Sequence, residues 1–187
     1  MGKLARSLPL LTLLALALFA FAQDETQPQT QAAPASDQLD ERFVPVAADA
    51  DLYEIRSSQL VLEQAADDQE VAALAQRIID DHTASSARLA EIAGALVVAL
   101  PQEPSAETQA KLDQLQSLSG AELVAAYLEQ QEQAHFDAIA LYTAQAETGQ
   151  NEELRAFAQE TLPALQQHLE MVQSLRTARD AQAGGAG

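Results

Sequence analysis

From about residue 43 onward the chain repeats apolar side chains at intervals of three and four, the spacing that gathers them on one face of an α-helix. Short alternating runs rich in β-branched and aromatic residues, which would mark strands, are missing. The first helix is predicted over about Phe43 to Ala66, with Leu52, Ile55, Leu62 and Ala66 on one face. Asp67, followed three residues later by Glu70, has the form of a capping box that opens a second helix. That helix turns Val71, Ala75, Ile78, Leu89 and Leu96 inward and stops before Pro101. Ser105 is placed to cap a short helix bearing Leu112, Leu115 and Leu118. Ser119 with Glu122 forms a second capping box, opening a third long helix that Gly149 ends.

Asn151 then caps a fourth long helix, with Leu154, Phe157, Leu165, Val172 and Leu175 inward. Pro163 lies inside it, frees the Gln159 carbonyl, and is predicted to kink the helix just before His168. The expected fold is all-α: a four-helix bundle over residues 41–178, with a short extra helix in the link between the second and third long helices. Residues 179–187, rich in Ala and Gly, are expected to fray.

The segment before the bundle changes that picture in two steps. Residues 1–22 read as an export signal: Lys3 and Arg6, an apolar run from Leu8 to Phe21, and the small-residue ending Ala20-Phe21-Ala22, with cleavage expected after Ala22. The run is short for a membrane span, so the expectation is an exported, periplasmic protein with no integral membrane insertion once the signal is removed. Residues 23–40 are rich in Gln, Thr, Ala, Pro and Asp, too poor in large apolar groups to offset the entropy of ordering, and read as a disordered leader.

Charge narrows the partners. The signal carries two of the ten basic residues and none of the 28 acidic ones, leaving a mature chain of formal charge −20. Such a surface repels nucleic acid and anionic membrane and keeps an exported protein soluble. The chain has no cysteine, so disulfides, thiolate ligands and a lipid-attachment cysteine are all excluded and stability must come from packing.

The candidate chemistry lies in the three histidines, His82, His135 and His168, one on each of the second, third and fourth long helices. At about 100° per residue each falls within roughly 40° of its helix's apolar stripe, so all three face the core. At about 1.5 Å per residue each is also near the midpoint of its helix, as is Glu54 on the first. Three imidazoles and one carboxylate can therefore meet in one cross-section. Neutral imidazole and carboxylate suit a single divalent ion, Zn, Fe, Mn or Cu, held by Glu54, His82, His135 and His168.

Two acids are lesser candidates. Glu132, three before His135, gives one copy of the Glu-x-x-His spacing that two-metal bundles use twice. Leu165 stands where the second copy would need its acid, so a two-metal centre is not expected. Asp81, rotated about 100° from His82, is placed to act on an imidazole from behind rather than as a ligand. Met171, three after His168, has the spacing of a core residue. The alternative is a metal-free envelope interaction or stress-related protein, in which each ring contacts a separate acid or carbonyl and the network is structural. A hydrolase reading lacks a nucleophile constellation, since Ser58, Ser85 and Ser86 near the histidines read as small packing residues.

Several of these pieces occur together in a known order: Ala48 to Glu54 followed by Ser58-Gln59-Leu60, Asp80-Asp81-His82-Thr83 with Leu89, Tyr127-Leu128 leading to His135, and Leu162-Pro163 leading to His168-Leu169. From Phe43 to Leu175 the chain resembles the bacterial exported family called domain of unknown function 4142, often labelled a predicted outer membrane protein. The resemblance implies a ferritin-like bundle and the shared set Glu54, His82, His135 and His168, with no established activity. It departs from the family where an acid often precedes the third-helix histidine; here that position is Ala134. The outer-membrane label finds neither barrel strands nor a lipid-attachment cysteine in this sequence.

Overall fold

The computed structural model describes residues 35–184. The export signal read at residues 1–22 and most of the leader lie outside the described residues. Those described form five helices and no strand: α1 (Ala35–Gln64), α2 (Gln69–Leu96), α3 (Ala106–Gln116), α4 (Gly120–Thr148) and α5 (Glu152–Gly184). The four long ones make the bundle, and α3 is the short extra helix in the link. No described helix is long and apolar enough to cross a membrane.

The boundaries follow local chemistry. Asp68, one residue later than expected, is the N-cap of α2, accepting from the Val71 amide at 3.3 Å. Ser105 Oγ accepts from the Thr108 amide at 3.2 Å and opens α3, and Asn151 Oδ1 accepts from the Leu154 amide at 3.0 Å and opens α5. Ser119 occupies the N-cap position of α4 but makes no side-chain cap bond. Gly149 is the C-cap of α4. A Cβ there would lie 2.7 Å from the Gln145 carbonyl, too close for any other residue.

α1 begins at Ala35, earlier than its apolar pattern indicates, and runs through Pro45. Its early turn is held by Asp40, whose carboxylate accepts from Gln145 Nε2 at 2.7 Å and from the Asn151 amide at 2.7 Å. Such bonds supply what the missing apolar side chains do not. α5 likewise continues past residue 178, and Arg179 Nη2 reaches Asp68 Oδ2 at 2.6 Å.

These two clamps fix the topology. Asp40 ties the start of α1 to the α4/α5 turn at one end, whereas Arg179 ties the end of α5 to the α1/α2 turn at the other. The two hairpin turns therefore lie at opposite ends, and the α2–α4 link, with α3 packed along α1 and α4, crosses the length of the bundle.

The core has two apolar clusters. One, at the α4/α5 turn, includes Phe43, Leu89, Ile92, Tyr142, Leu154, Phe157 and Leu165. The other, toward the α1/α2 turn, includes Val61, Val71, Leu74, Ile78, Leu115, Leu123, Leu128 and Val172. Leu52, Ile55 and Leu62, expected to be the inward face of α1, are only half-buried, and Ala66 is exposed beyond its end. The buried stripe is instead Phe43, Val44, Ala47, Asp51, Glu54, Ser57, Ser58 and Val61. α1 turns polar groups inward because the layer between the clusters is polar.

Candidate metal centre

His82, His135 and His168 meet in that layer, each at most 5% exposed. Their ring centroids are 5.9, 5.6 and 5.3 Å apart, so the rotation and height expected of them are realised together. Each ring is oriented through one nitrogen. His82 Nδ1 lies 2.7 Å from Asp51 Oδ1, His135 Nδ1 lies 2.9 Å from the Gln131 carbonyl oxygen, and His168 Nε2 lies 2.9 Å from Asp81 Oδ2.

These partners assign the tautomers. A carbonyl or a carboxylate only accepts, so the facing nitrogen carries the proton and donates. In a neutral ring the other nitrogen then presents a lone pair. His135 Nε2 and His168 Nδ1 face each other at 3.3 Å, and His82 Nε2 is buried with no hydrogen-bond partner. With one nitrogen from each residue, the cluster's ligand atoms all lie within 4.8 Å of one another.

Electrostatics removes the simplest remedy, a proton on the facing pair. Burial pushes His135 down to about 4, helped by His82 and opposed by the Gln131 carbonyl. Burial also pushes His168 down to about 4; Asp81 opposes this, while His135 and His82 add to it. Both rings are neutral at physiological pH, leaving two lone pairs in contact. His82 is the exception: burial lowers its affinity for a proton, but the Asp51 hydrogen bond and the charges of Glu54, Asp51 and Asp81 raise it further.

Glu54 is buried beside the cluster but outside the converging set of three. Its Oε1 is 3.8 Å from His135 Nδ1, and its Oε2 has no hydrogen-bond partner. Burial raises its carboxyl to about 7, against the pull of His82, a Gln131 hydrogen bond and His168. To serve as a fourth ligand it must turn that carboxylate toward the imidazole lone pairs.

Asp81 holds an imidazole from behind, but across the interface on α5 instead of its neighbour His82. Arg77 Nε donates to the same carboxylate oxygen, and the hydrogen bonds from Arg77 and His168 outweigh burial to lower its pKa. Glu132 is engaged elsewhere: it accepts from Gln173 Nε2 at 3.1 Å and pairs with Arg176. Met171 packs against the second apolar cluster.

Asp51 is the functional residue that the sequence pattern did not single out. It is 3% exposed and accepts from both His82 and Ser86 Oγ, the latter at 2.8 Å. The signal was present: Asp51 lies between Ala47 and Glu54 on the same helical stripe as Ser58 and Val61. Ser57 Oγ and Gln131 Nε2, bonded at 3.1 Å, complete the polar layer between α1 and α4.

A family model described as a domain of unknown function (DUF4142) matches residues 25–175. No curated protein and no solved structure matches the chain.

Proposed function

The chain belongs to the DUF4142 family, and from the layer it carries we propose an exported, periplasmic protein of ferritin-like architecture that holds one divalent metal ion in its core. His82, His135 and His168 are the ligands, with Glu54 turning in as the fourth. Export rests on the signal pattern of residues 1–22, and the ferritin-like reading is supported by the single long crossover between α2 and α4.

The observation that carries the metal is the arrangement of nitrogens. Each imidazole has one nitrogen held as a donor by Asp51, the Gln131 carbonyl or Asp81, and the remaining nitrogens converge with no proton between the closest two. Metal-ligating histidines are oriented in just this way by acceptors behind them. Zn–N bonds of about 2.0–2.1 Å put neighbouring tetrahedral ligands about 3.3 Å apart. That matches the His135–His168 separation of 3.3 Å, and a ring shift of no more than about 1.5 Å brings in the third donor.

Charge agrees with a divalent ion. Asp81 is balanced by Arg77, which leaves Asp51 and Glu54 as two buried carboxylates for one ion of charge +2. Imidazole and carboxylate donors in a chain without cysteine suit Zn, Fe, Mn or Cu(II). If all positions are filled, the ion is structural or stored; if one is open, redox or peroxide chemistry at Fe or Mn is within reach.

The test is metal content. The protein, purified without a histidine tag and reconstituted with Zn, Fe, Mn or Cu, binds one equivalent, and His135→Ala abolishes it. No stoichiometric metal under any of these conditions leaves the separate acid and carbonyl contacts of each ring as a purely structural network and defeats the proposal.

A further inference from the structure

A cleft of about 560 Å³ opens on the face formed by α1, the α2–α3 link, α3 and α4. Its walls include Pro45, Ala50, Ala138 and Leu141, and its most buried lining is Tyr53, Glu54 and Tyr142. Glu54 belongs to both places: it lines the cleft, and its carboxylate stands 3.8 Å from the His135 ring. Ala134, immediately before His135, lines the cleft as well. Glu54 is thus the residue that separates the cleft from the histidines, and its Oε2 is buried with no hydrogen-bond partner.

Two other approaches to the histidines are closed. Between α2 and α5, Asp81 covers His168 and is itself held by Arg77, which also reaches Gln167 Oε1 at 3.3 Å. Along the bundle axis the two apolar clusters fill the space. Building on the metal reading, we infer that this cleft is a binding pocket through which an uncharged small molecule with an apolar body and one lone-pair donor atom reaches the ion beside Glu54.

The class of ligand follows from charge and size. Glu103, Glu107 and Asp137 stand at the exposed rim, where the nearby cations Arg56 and Lys111 are already paired with Glu103 and Glu107, so anions are repelled on entry. Asp49 and Asp137, which have no cationic partner, leave the lining acidic and admit cations, but a protonated amine has no lone pair to give the ion. The volume falls in the range of about 300–1,000 Å³ typical of small-molecule pockets and exceeds what water or dioxygen needs.

Cobalt(II) loaded into the full chain supplies the readout, through its visible absorption. Pyridine, uncharged above neutral pH and of suitable shape, is expected to shift that spectrum with saturation, and benzoate to bind at least about tenfold more weakly. Ala138→Phe, or Ala50→Leu should the first variant fail to fold, is expected to weaken pyridine at least about tenfold while cobalt stoichiometry stays at one. An unmoved spectrum, benzoate matching pyridine, or a filled cleft without effect overturns this inference alone and leaves the metal reading standing. Failure to take up cobalt or any other divalent ion overturns both.

Discussion

Two triads of rings stack in this bundle with nearly the same spacing and opposite needs. Near the α4/α5 turn, Phe43, Tyr142 and Phe157 have centroids 4.9, 6.2 and 5.8 Å apart. In the middle layer, His82, His135 and His168 stand 5.9, 5.6 and 5.3 Å apart. In the first triad Phe43 meets both other rings edge to face, which suits the ring quadrupoles, and the set is complete as it stands. The second also has its rings tilted on one another, but two of the atoms facing inward, His135 Nε2 and His168 Nδ1, are nitrogen lone pairs. The same packing is self-sufficient when the rings are hydrocarbon and sets lone pair against lone pair when they are imidazole.

The largest effect comes from cutting into the self-sufficient triad. Phe157→Ala should lower stability by about 3–5 kcal/mol in denaturant melts, by the same amount with and without metal, because it removes packing alone. A metal-dependent loss would show that the two triads are coupled.

Acid separates them next. His135 and His168 are both held near 4, below the value of about 6.5 at which imidazoles titrate in an unfolded chain. As pH falls from about 6.5 toward 4, the unfolded state takes up protons that these two native rings refuse, so their contribution to stability is lost over that window. Glu54, raised to about 7, and His82, also raised, act in the opposite sense, since their native forms take up protons first. Two groups thus stand against two, and the part owed to the depressed rings, on the order of 3 kcal/mol for each by pH 4, is read as the difference between denaturant melts of the metal-free protein and of variants lacking them. A variant with Asn at both His135 and His168 should lose less.

Asp51→Asn tests how the polar triad is aimed. It keeps the shape and an acceptor for His82 but removes the charge, and should weaken metal binding about 10- to 100-fold in a competition titration. The smallest effect is expected from Glu132→Gln, which should leave metal stoichiometry unchanged and shift stability by less than about 1 kcal/mol, because Glu132 serves Arg176 and Gln173.

The same contrast explains what the sequence disclosed. On α2, α4 and α5 the histidines sit among Ile78, Leu128 and Val172, so apolar spacing alone points them inward. On α1 the rule picked Leu52, Ile55 and Leu62, because a stripe of Asp51, Glu54, Ser57 and Ser58 ranks as surface on any scale of hydropathy. Only a buried polar layer makes that stripe the inner one, and the layer's existence depends on partners contributed by other helices. Asp81 shows the same limit: rotation placed it beside the apolar face, but which imidazole it meets is decided by the way α5 packs on α2.

The clusters above and below the histidines also bear on how such a chain finds one alignment. Alanine-, leucine- and glutamine-rich helices offer nearly interchangeable apolar stripes, and a slide of one turn, about 5.4 Å, changes their contacts little. The polar layer does not tolerate that slide, because Asp51 would leave His82 and strand a charge among hydrocarbon, and the buried His168 would lose its acceptor Asp81. The layer thus acts as a register mark. It selects the one vertical setting of four otherwise permissive helices, whatever it goes on to bind.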